Sequence, residues 1–437
     1  MENGELVVGG CKASSLAKEF GTPLFVIDEG DFNIRLKSWK TALERHFGAQ
    51  AGTVYYASKS FISVEVAKWI DAAGVGIDVC SGGELAVALA AKFDPAKIEL
   101  HGNNKSEAEI GAAIKAGVNK IVIDSHQEIE RVNRIAGDAG IIQTVLIRLT
   151  PGVEAHTHEF ISTAHEDVKF GFSISSGDAT KAAQEVEACA NLRLAGIHCH
   201  IGSQIFESEG FETAATRLIE FLAEFRDRNN RELPELDLGG GYGVAYIEGE
   251  TTYDPDVAMS AIAALVKAQC AKHQLVLPTV SIEPGRAISA PTTTTLYEVG
   301  TTKNVTLDEG GIRRYIAVDG GMSDNIRPAL YGAQYSALLA NRTSTTSAIS
   351  SRLVGKHCES GDIIIREIDL PSDIGPGDLI AIPTTGAYGR SMASNYNHMP
   401  RPAVVAVKDG SARVILRRET EADLLSLDVV ENPRVIN

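Results

Sequence analysis

The feature that most constrains this chain is an alternation. From about residue 30 to 290, short apolar β-rich runs take turns with amphipathic helical stretches. The runs are Thr53–Ala57, Gly74–Val79, Lys97–His101, Lys120–Asp124, Thr144–Leu149, Leu194–His200, Glu235–Gly239 and Val280–Glu283. Between them lie helical patterns such as Ser63–Ala73, Glu84–Lys92, Ser106–Ala116 and Phe211–Asp227. Ser106 and Glu109 have the spacing of a capping box. Alternating strands and helices imply parallel pairing. Eight units across this span match a (β/α)8 barrel, for which about 250 residues is typical. An open doubly wound sheet is the alternative, and the count of eight favours the barrel.

Past about residue 291 the texture changes. Thr292–Thr302, Tyr315–Asp319, Ser347–Val354, Ile363–Leu370, Asp378–Pro383 and Ala403–Leu416 are β-rich. Asp409-Gly410 and Gly375-Pro376-Gly377 read as turns between them. The expected organisation is α/β: a TIM-like (β/α)8 barrel over 30–290, with a C-terminal β-rich, sandwich- or barrel-like domain over 291–437. Residues 1–29, with the strand-like Thr22–Asp28, are assigned to the β-rich domain.

Composition narrows the function. The chain has 437 residues, 41 basic and 57 acidic, for a net charge of −16. That balance argues against a nucleic-acid surface, which needs clustered Lys and Arg. No apolar run approaches the roughly 18 residues of a membrane span, and Met1–Glu5 lacks a signal-peptide pattern, so a soluble cytoplasmic protein is expected. Six cysteines without a CxxC pair speak against a disulfide framework or a structural zinc site, so no metal is expected.

Barrels carry their chemistry at the C-terminal ends of the strands. Here those ends hold Ser58-Lys59, Asp78-Val79-Cys80, His101-Gly102-Asn103, His198-Cys199-His200, Gly239-Gly240-Gly241 and Glu283-Pro284-Gly285-Arg286. Lys59 follows an apolar strand, where desolvation frees an amine as a nucleophile. The glycines after the seventh and eighth strands suit a phosphate, since such loops are a recurrent phosphate site in barrels. An activated lysine beside a barrel phosphate site points to pyridoxal phosphate. Glu283 then becomes a carboxylate for the pyridine nitrogen, and His200 a residue to stack on the ring. A metal reading stays open beside it: His198 and His200 share a strand face, and His156 and His158 have the same spacing.

At the level of motifs the chain resembles the diaminopimelate decarboxylases, pyridoxal-phosphate enzymes of the alanine-racemase-like (fold type III) barrel class. The segments that carry the resemblance run nearly end to end. They are Tyr55–Ser60, His101–Ser106, Glu154–Thr163, Lys169–Ser173, His198–Gln204, Leu236–Gly243, Glu283–Arg286, Asp319–Gly332, Lys356–Asp362 and Gly386–Asn397. The segments HGNNKS, SDNIRPALYG and HCESGD favour this branch over the ornithine and arginine decarboxylases.

The resemblance implies roles. Lys59 forms the covalent link to the cofactor, His200 stacks on it and Glu283 pairs with its ring nitrogen. Asp78, Ser203, Gly240, Gly241, Gly285, Arg286 and Tyr388 complete the cofactor site. Arg286, Arg327, Tyr331 and Tyr388 take the distal carboxylate of the substrate, and Glu359 its distal ammonium. Cys358, with Lys59 as the alternative, is the proton donor, and Cys358 comes from a partner subunit, which implies a homodimer with shared active sites. The implied reaction converts meso-2,6-diaminopimelate to L-lysine and CO2. Gly389-Arg390 after Tyr388 departs from the expected pattern by its charge. The rivals are another amino-acid decarboxylase or a racemase on this fold, a metal-dependent barrel hydrolase, and a non-catalytic binding protein that kept the fold.

Overall fold

A computed structural model describes residues 2, 4–152, 169–200, 202–204, 208–308 and 310–429. The segment Glu154–Thr163, with His156 and His158, lies outside the described residues. The chain divides into two compact units. One comprises Asp31–Ala245 and Gly249–Pro291; the other comprises Met1–Gly30, Tyr246–Glu248 and Thr292–Asn437.

The first unit is a closed barrel. Its strands are β1 (Ala51–Ala57), β2 (Gly76–Val79), β3 (Ile98–Leu100), β4 (Lys120–Ile123), β5 (Gln143–Thr150), β6 (Leu192–His198), β7 (Glu235–Asp237) and β8 (Thr279–Ile282). Each pairs in parallel with the next. The ring shuts where β8 pairs with β1, through Val280 with Ala51 and Ile282 with Val54. The runs are largely apolar because both faces are covered, one by the barrel interior and one by helices, with a few charged side chains such as Glu99 and Lys120 set among them. Strand β5, for example, is buried at all eight positions.

Local chemistry starts the helices where the sequence indicates. Ser63 and Ser81 each accept a hydrogen bond from a first-turn backbone N–H. Ser106 and Glu109 form the expected reciprocal capping box ahead of Glu107–Ala116. Two strands end earlier than their apolar runs suggest. Strand β7 stops at Asp237 because its carboxylate accepts from the Gly239 N–H at 2.7 Å, and Gly239 turns to φ +66°. Strand β6 stops at His198, which leaves His200 on the loop above it.

The second unit is a β assembly. Its strands are β9 (Thr293–Thr306), β10 (Ile312–Val318), β11 (Ala348–Val354), β12 (Ile363–Pro371), β13 (Leu379–Ile382), β14 (Ala403–Lys408) and β15 (Ser411–Leu416). The strand Leu24–Asp28 sits inside this sheet, antiparallel to β9 and parallel to β14. Its alternate residues Leu24 and Val26 pack with Leu296, Val405 and Val407 in one apolar cluster. Asp409-Gly410 makes the expected hairpin turn between β14 and β15, with φ +49° and +77°. Among the described residues no helix is long and apolar enough to cross a membrane.

Candidate active site

The barrel interior is charged. Lys120 on β4 places Nζ 2.9 Å from Glu99 Oε1 on β3, 2.5 Å from Glu235 Oε2 on β7 and 3.3 Å from the Tyr55 hydroxyl on β1. Strands β4 and β7 are far apart around the ring, so these groups meet only inside it. Burial disfavours a charge on Lys120 or Glu99, but their mutual attraction wins: the lysine stays above its ordinary range and the glutamate below.

A second polar layer lies at the C-terminal ends of the strands. Glu283 follows β8 and is buried. Its Oε1 lies 3.1 Å from His101 Nε2 and 3.0 Å from His198 Nε2. His101 follows β3 and His198 ends β6, and their rings meet edge-on at 4.9 Å. His101 Nε2 is also 3.6 Å from Glu99 Oε2. Burial alone pushes the Glu283 carboxyl up, but the two imidazoles hold it well below the usual range. Burial alone also lowers His101, but Glu283 and Glu99 raise it to about 10. His198 goes the other way, to about 4, because burial and the neighbouring His101 and Arg148 outweigh Glu283. Asp237, at the end of β7, is raised well above its ordinary value by burial and by Glu283.

Around this floor stand the residues expected from the sequence. Asp78 on β2 is raised to about 7, burial outweighing the Lys59 charge beside it. The Glu84 carboxylate accepts from Ser58 Oγ and from the Cys80 N–H, both at 2.6 Å, and so ties the loop carrying Lys59 to the end of β2. His200 Nδ1 accepts from the Gly240 N–H at 3.2 Å, which leaves Nε2 as the ring's protonated nitrogen. Burial, Lys59 and Arg148 keep His200 neutral, well below its ordinary pKa. Arg286 is buried, and its Nε and Nη2 donate to Ser203 Oγ at 3.1 and 3.0 Å. The glycines form close-approach walls. A Cβ on Gly240 meets the Glu283 carbonyl oxygen at 2.2 Å, and one on Gly285 meets the Ala57 Cβ at 2.7 Å.

The remaining expected residues belong to the second unit. Arg327 is buried there; it donates to the Tyr335 hydroxyl and lies 4.4 Å over the Tyr246 ring. Tyr331 closes the short helix Arg327–Tyr331. Tyr388 takes φ +59°. Cys358 and Glu359 are exposed on the single chain. Their loop is pinned by Asp362, which accepts from the Met322 N–H at 2.7 Å and the His357 N–H at 2.9 Å.

Comparison with known proteins now identifies the family. Residues 29–290 match the family model described as "Pyridoxal-dependent decarboxylase, pyridoxal binding domain". The diaminopimelate decarboxylase of Mycobacterium tuberculosis is 54% identical over 98% of this chain and 96% of its own. That of Bacillus subtilis is 44% identical, again over 98% and 96%. A solved structure of the M. jannaschii enzyme in complex with L-lysine superposes with a TM-score of 0.91 at 30% identity, covering 99% of this chain and 97% of that one. The chain belongs to the diaminopimelate decarboxylase family.

The family's cofactor is pyridoxal phosphate, and the barrel mouth fits it. Gly240 and Gly285 let the strand-end loops around the mouth approach one another closely. Glu283, kept anionic by its imidazoles, suits a protonated ring nitrogen. Buried Asp78 Oδ2 has no hydrogen-bond partner among the described residues. Sequence reasoning placed His101 at a strand end without giving it a role, missed Arg148, and weighed His198 only as a metal ligand. His101, His198 and Glu283 do cluster closely enough to hold an ion. His200 is not in that group, so the His198–His200 pair does not form the metal site considered from the sequence. The signal for His101 was its place at a strand end, in the same layer as Glu283.

Proposed function

We propose that this protein decarboxylates meso-2,6-diaminopimelate to L-lysine and CO2 with pyridoxal phosphate, the last step of lysine biosynthesis. The observation that carries the reading is identity of 54% over nearly the whole length of a curated diaminopimelate decarboxylase. Lys59 holds the cofactor covalently, Glu283 keeps its ring nitrogen protonated and His200 lies against its ring. Ser203, Gly240, Gly241, Gly285 and Tyr388 receive its phosphate, with Asp78 and Arg286 beside them. Bound pyridoxal phosphate supplies the electron sink that lets the bond to CO2 break.

The chain's own groups do the rest. Arg286 and Arg327, with Tyr331 and Tyr388, hold the distal carboxylate, and Glu359 holds the distal ammonium. Arginine suits that task because its planar fork binds a carboxylate bidentately. One proton must be added at the carbon that loses CO2, and Cys358 supplies it. In this reading Cys358 comes from a second copy of the chain, as a homodimer with shared sites requires. The exposure of Cys358 and Glu359 on the single chain supports that. Six free thiols are compatible with the reducing cytoplasm, where we place the enzyme.

The test is an absorption spectrum before and after addition of meso-diaminopimelate, with ornithine, arginine and lysine as competitors. The expected result is a lysine-bound cofactor band abolished by borohydride, with CO2 released from diaminopimelate alone. Preference for ornithine overturns the substrate assignment. Absence of a band after incubation with pyridoxal phosphate overturns Lys59.

A further inference from the structure

We propose that His101 and His198 are positioning residues for Glu283. Two imidazole nitrogens from different strands grip one carboxylate oxygen and leave the other to the cofactor's ring nitrogen. The inference rests on the reading that Glu283 meets that nitrogen. It goes beyond it by assigning the residues that make Glu283 a fixed anion.

The geometry carries the argument. Glu283 stands on a loop after β8, where one bond rotation would turn its carboxylate away. His101 and His198 reach its Oε1 from β3 and β6 at 3.1 and 3.0 Å. All three side chains are at most 6% exposed, so water does not compete for the contacts. The two contacts are at ion-pair distance without the angle of a hydrogen bond, so the hold on Glu283 Oε1 is electrostatic. Two contacts that arrive from different strands fix the position of that oxygen. Site groups must be held within about 0.5 Å to work, and locked neighbours are how that is done.

The two imidazoles divide the task. At an effective dielectric of about 20, unit charges about 3 Å apart attract by an amount comparable with the several kcal/mol needed to bury an ion. One cation therefore suffices for Glu283, and His101 is the better candidate. It also faces Glu99, and its pKa is raised where that of His198 is lowered. His198 acts as a polar contact at 3.0 Å from the same oxygen. The other titratable and charged groups acting on Glu283 or sharing its surroundings are Lys59 after β1, Asp78, Cys80 and Glu84 at and after the end of β2, Glu99 from β3, Arg148 from β5, Cys199 and His200 after β6, and Asp237 with Tyr242 at and after β7. The carboxyls among them push the Glu283 pKa up, so the His101 charge must outweigh them.

The experiment uses holoenzyme variants. His101→Gln keeps a donor but removes the charge. We expect kcat to fall about ten- to hundredfold with KM within about twofold. The cofactor absorption band should shift in the same direction as in Glu283→Gln. The acid limb of the kcat profile should move up by about one pH unit or more, because Glu283 without its cation takes up a proton more readily. His198→Gln should stay within about threefold of the parent, whereas His198→Leu should fall at least tenfold. In a Glu283→Gln background, His101→Gln should change nothing further, a non-additivity that a merely structural role lacks.

Thermal unfolding and cofactor content establish which variants are folded. If His101→Gln fails to fold, the His198 pair decides alone. If Glu283→Gln is impaired while the folded histidine variants keep the parental kcat, band and acid limb, the inference is overturned and the Glu283 reading stands. If Glu283→Gln itself keeps the parental band and kcat, the Glu283 reading falls and takes the inference with it.

Discussion

Gly240 offers the sharpest test of how closely the barrel mouth is built. Its backbone is in an ordinary conformation, so replacing it with alanine carries no dihedral strain; it is absent from the positive-φ residues. The cost is purely steric. A Cβ there stands 2.2 Å from the carbonyl oxygen of Glu283 and 3.7 Å from His200 Cε1. An ordinary carbon–oxygen contact is about 3.3 Å or longer, so the two loops must part by about 1 Å. Overpacking of this kind costs about 1–3 kcal/mol. At roughly 2–4 °C per kcal/mol the melting temperature should fall on the order of 2–12 °C. The displacement falls on the loops that carry Glu283 and His200, where an error of 1 Å can cost about a hundredfold in rate. The assay is thermal unfolding together with kcat and cofactor content of Gly240→Ala. We expect a folded protein, a modest loss of stability and a much larger loss of turnover. Parental melting temperature and parental kcat together would refute the claim that the glycine is required by the approach of the β8 loop.

The other predictions use different parts of the molecule. Gly111 lies inside the helix Glu107–Ala116 with open space where a Cβ would stand, so Gly111→Ala should stabilise by about 0.5–1 kcal/mol, read as a higher melting temperature. Lys120→Met leaves Glu99 buried without its main cation and should cost about 3–5 kcal/mol in denaturant unfolding, much of it restored by adding Glu99→Gln. Arg401 holds the Glu419 carboxyl down to about 2 from an ordinary 4.5. A depressed carboxyl contributes stability that is present above the unfolded value and lost as pH falls through the folded one. Arg401→Met should therefore be less stable than the parent by less than about 1 kcal/mol at neutral pH, with the gap closing between about pH 5 and pH 2.

The strand pattern was readable because each barrel strand is a short apolar run that ends in a polar or glycine-rich punctuation. Thr53–Ala57 and Lys120–Asp124 appear in the structure as Ala51–Ala57 and Lys120–Ile123, shifted by a residue or two. The strand-end residues were readable for the same reason: Lys59, Asp78 and Glu283 interrupt otherwise apolar text. What sequence could not supply was partnership across the ring. Glu99 and Lys120 read as ordinary charges until closure of the barrel brings β3, β4 and β7 together around one ammonium. Arg327 likewise finds Tyr246 and Tyr335 through folding of the second unit, with no local spacing to announce Tyr246.

The barrel mouth also shows why carboxylates of one chemical type can be assigned different work. Glu283, Asp237 and Asp78 are all buried at the same end of the barrel. Burial raises all three, and what separates them is the company each keeps. Two imidazoles and no competing anion contact shorter than theirs hold Glu283 ionised. Asp237 has a single backbone N–H at 2.7 Å and the Glu283 charge against it, and burial with that charge raises its carboxyl well above its ordinary value. Asp78, with Lys59 beside it, falls between, at about 7. Environments that push paired acids apart mark which one acts as an anion and which as a proton carrier. Here the imidazoles hold Glu283 as an anion, and Asp78, raised to about 7 against the Lys59 charge, titrates near neutral pH. Of the three, Glu283 is the one whose surroundings hold it well below the usual carboxylate range.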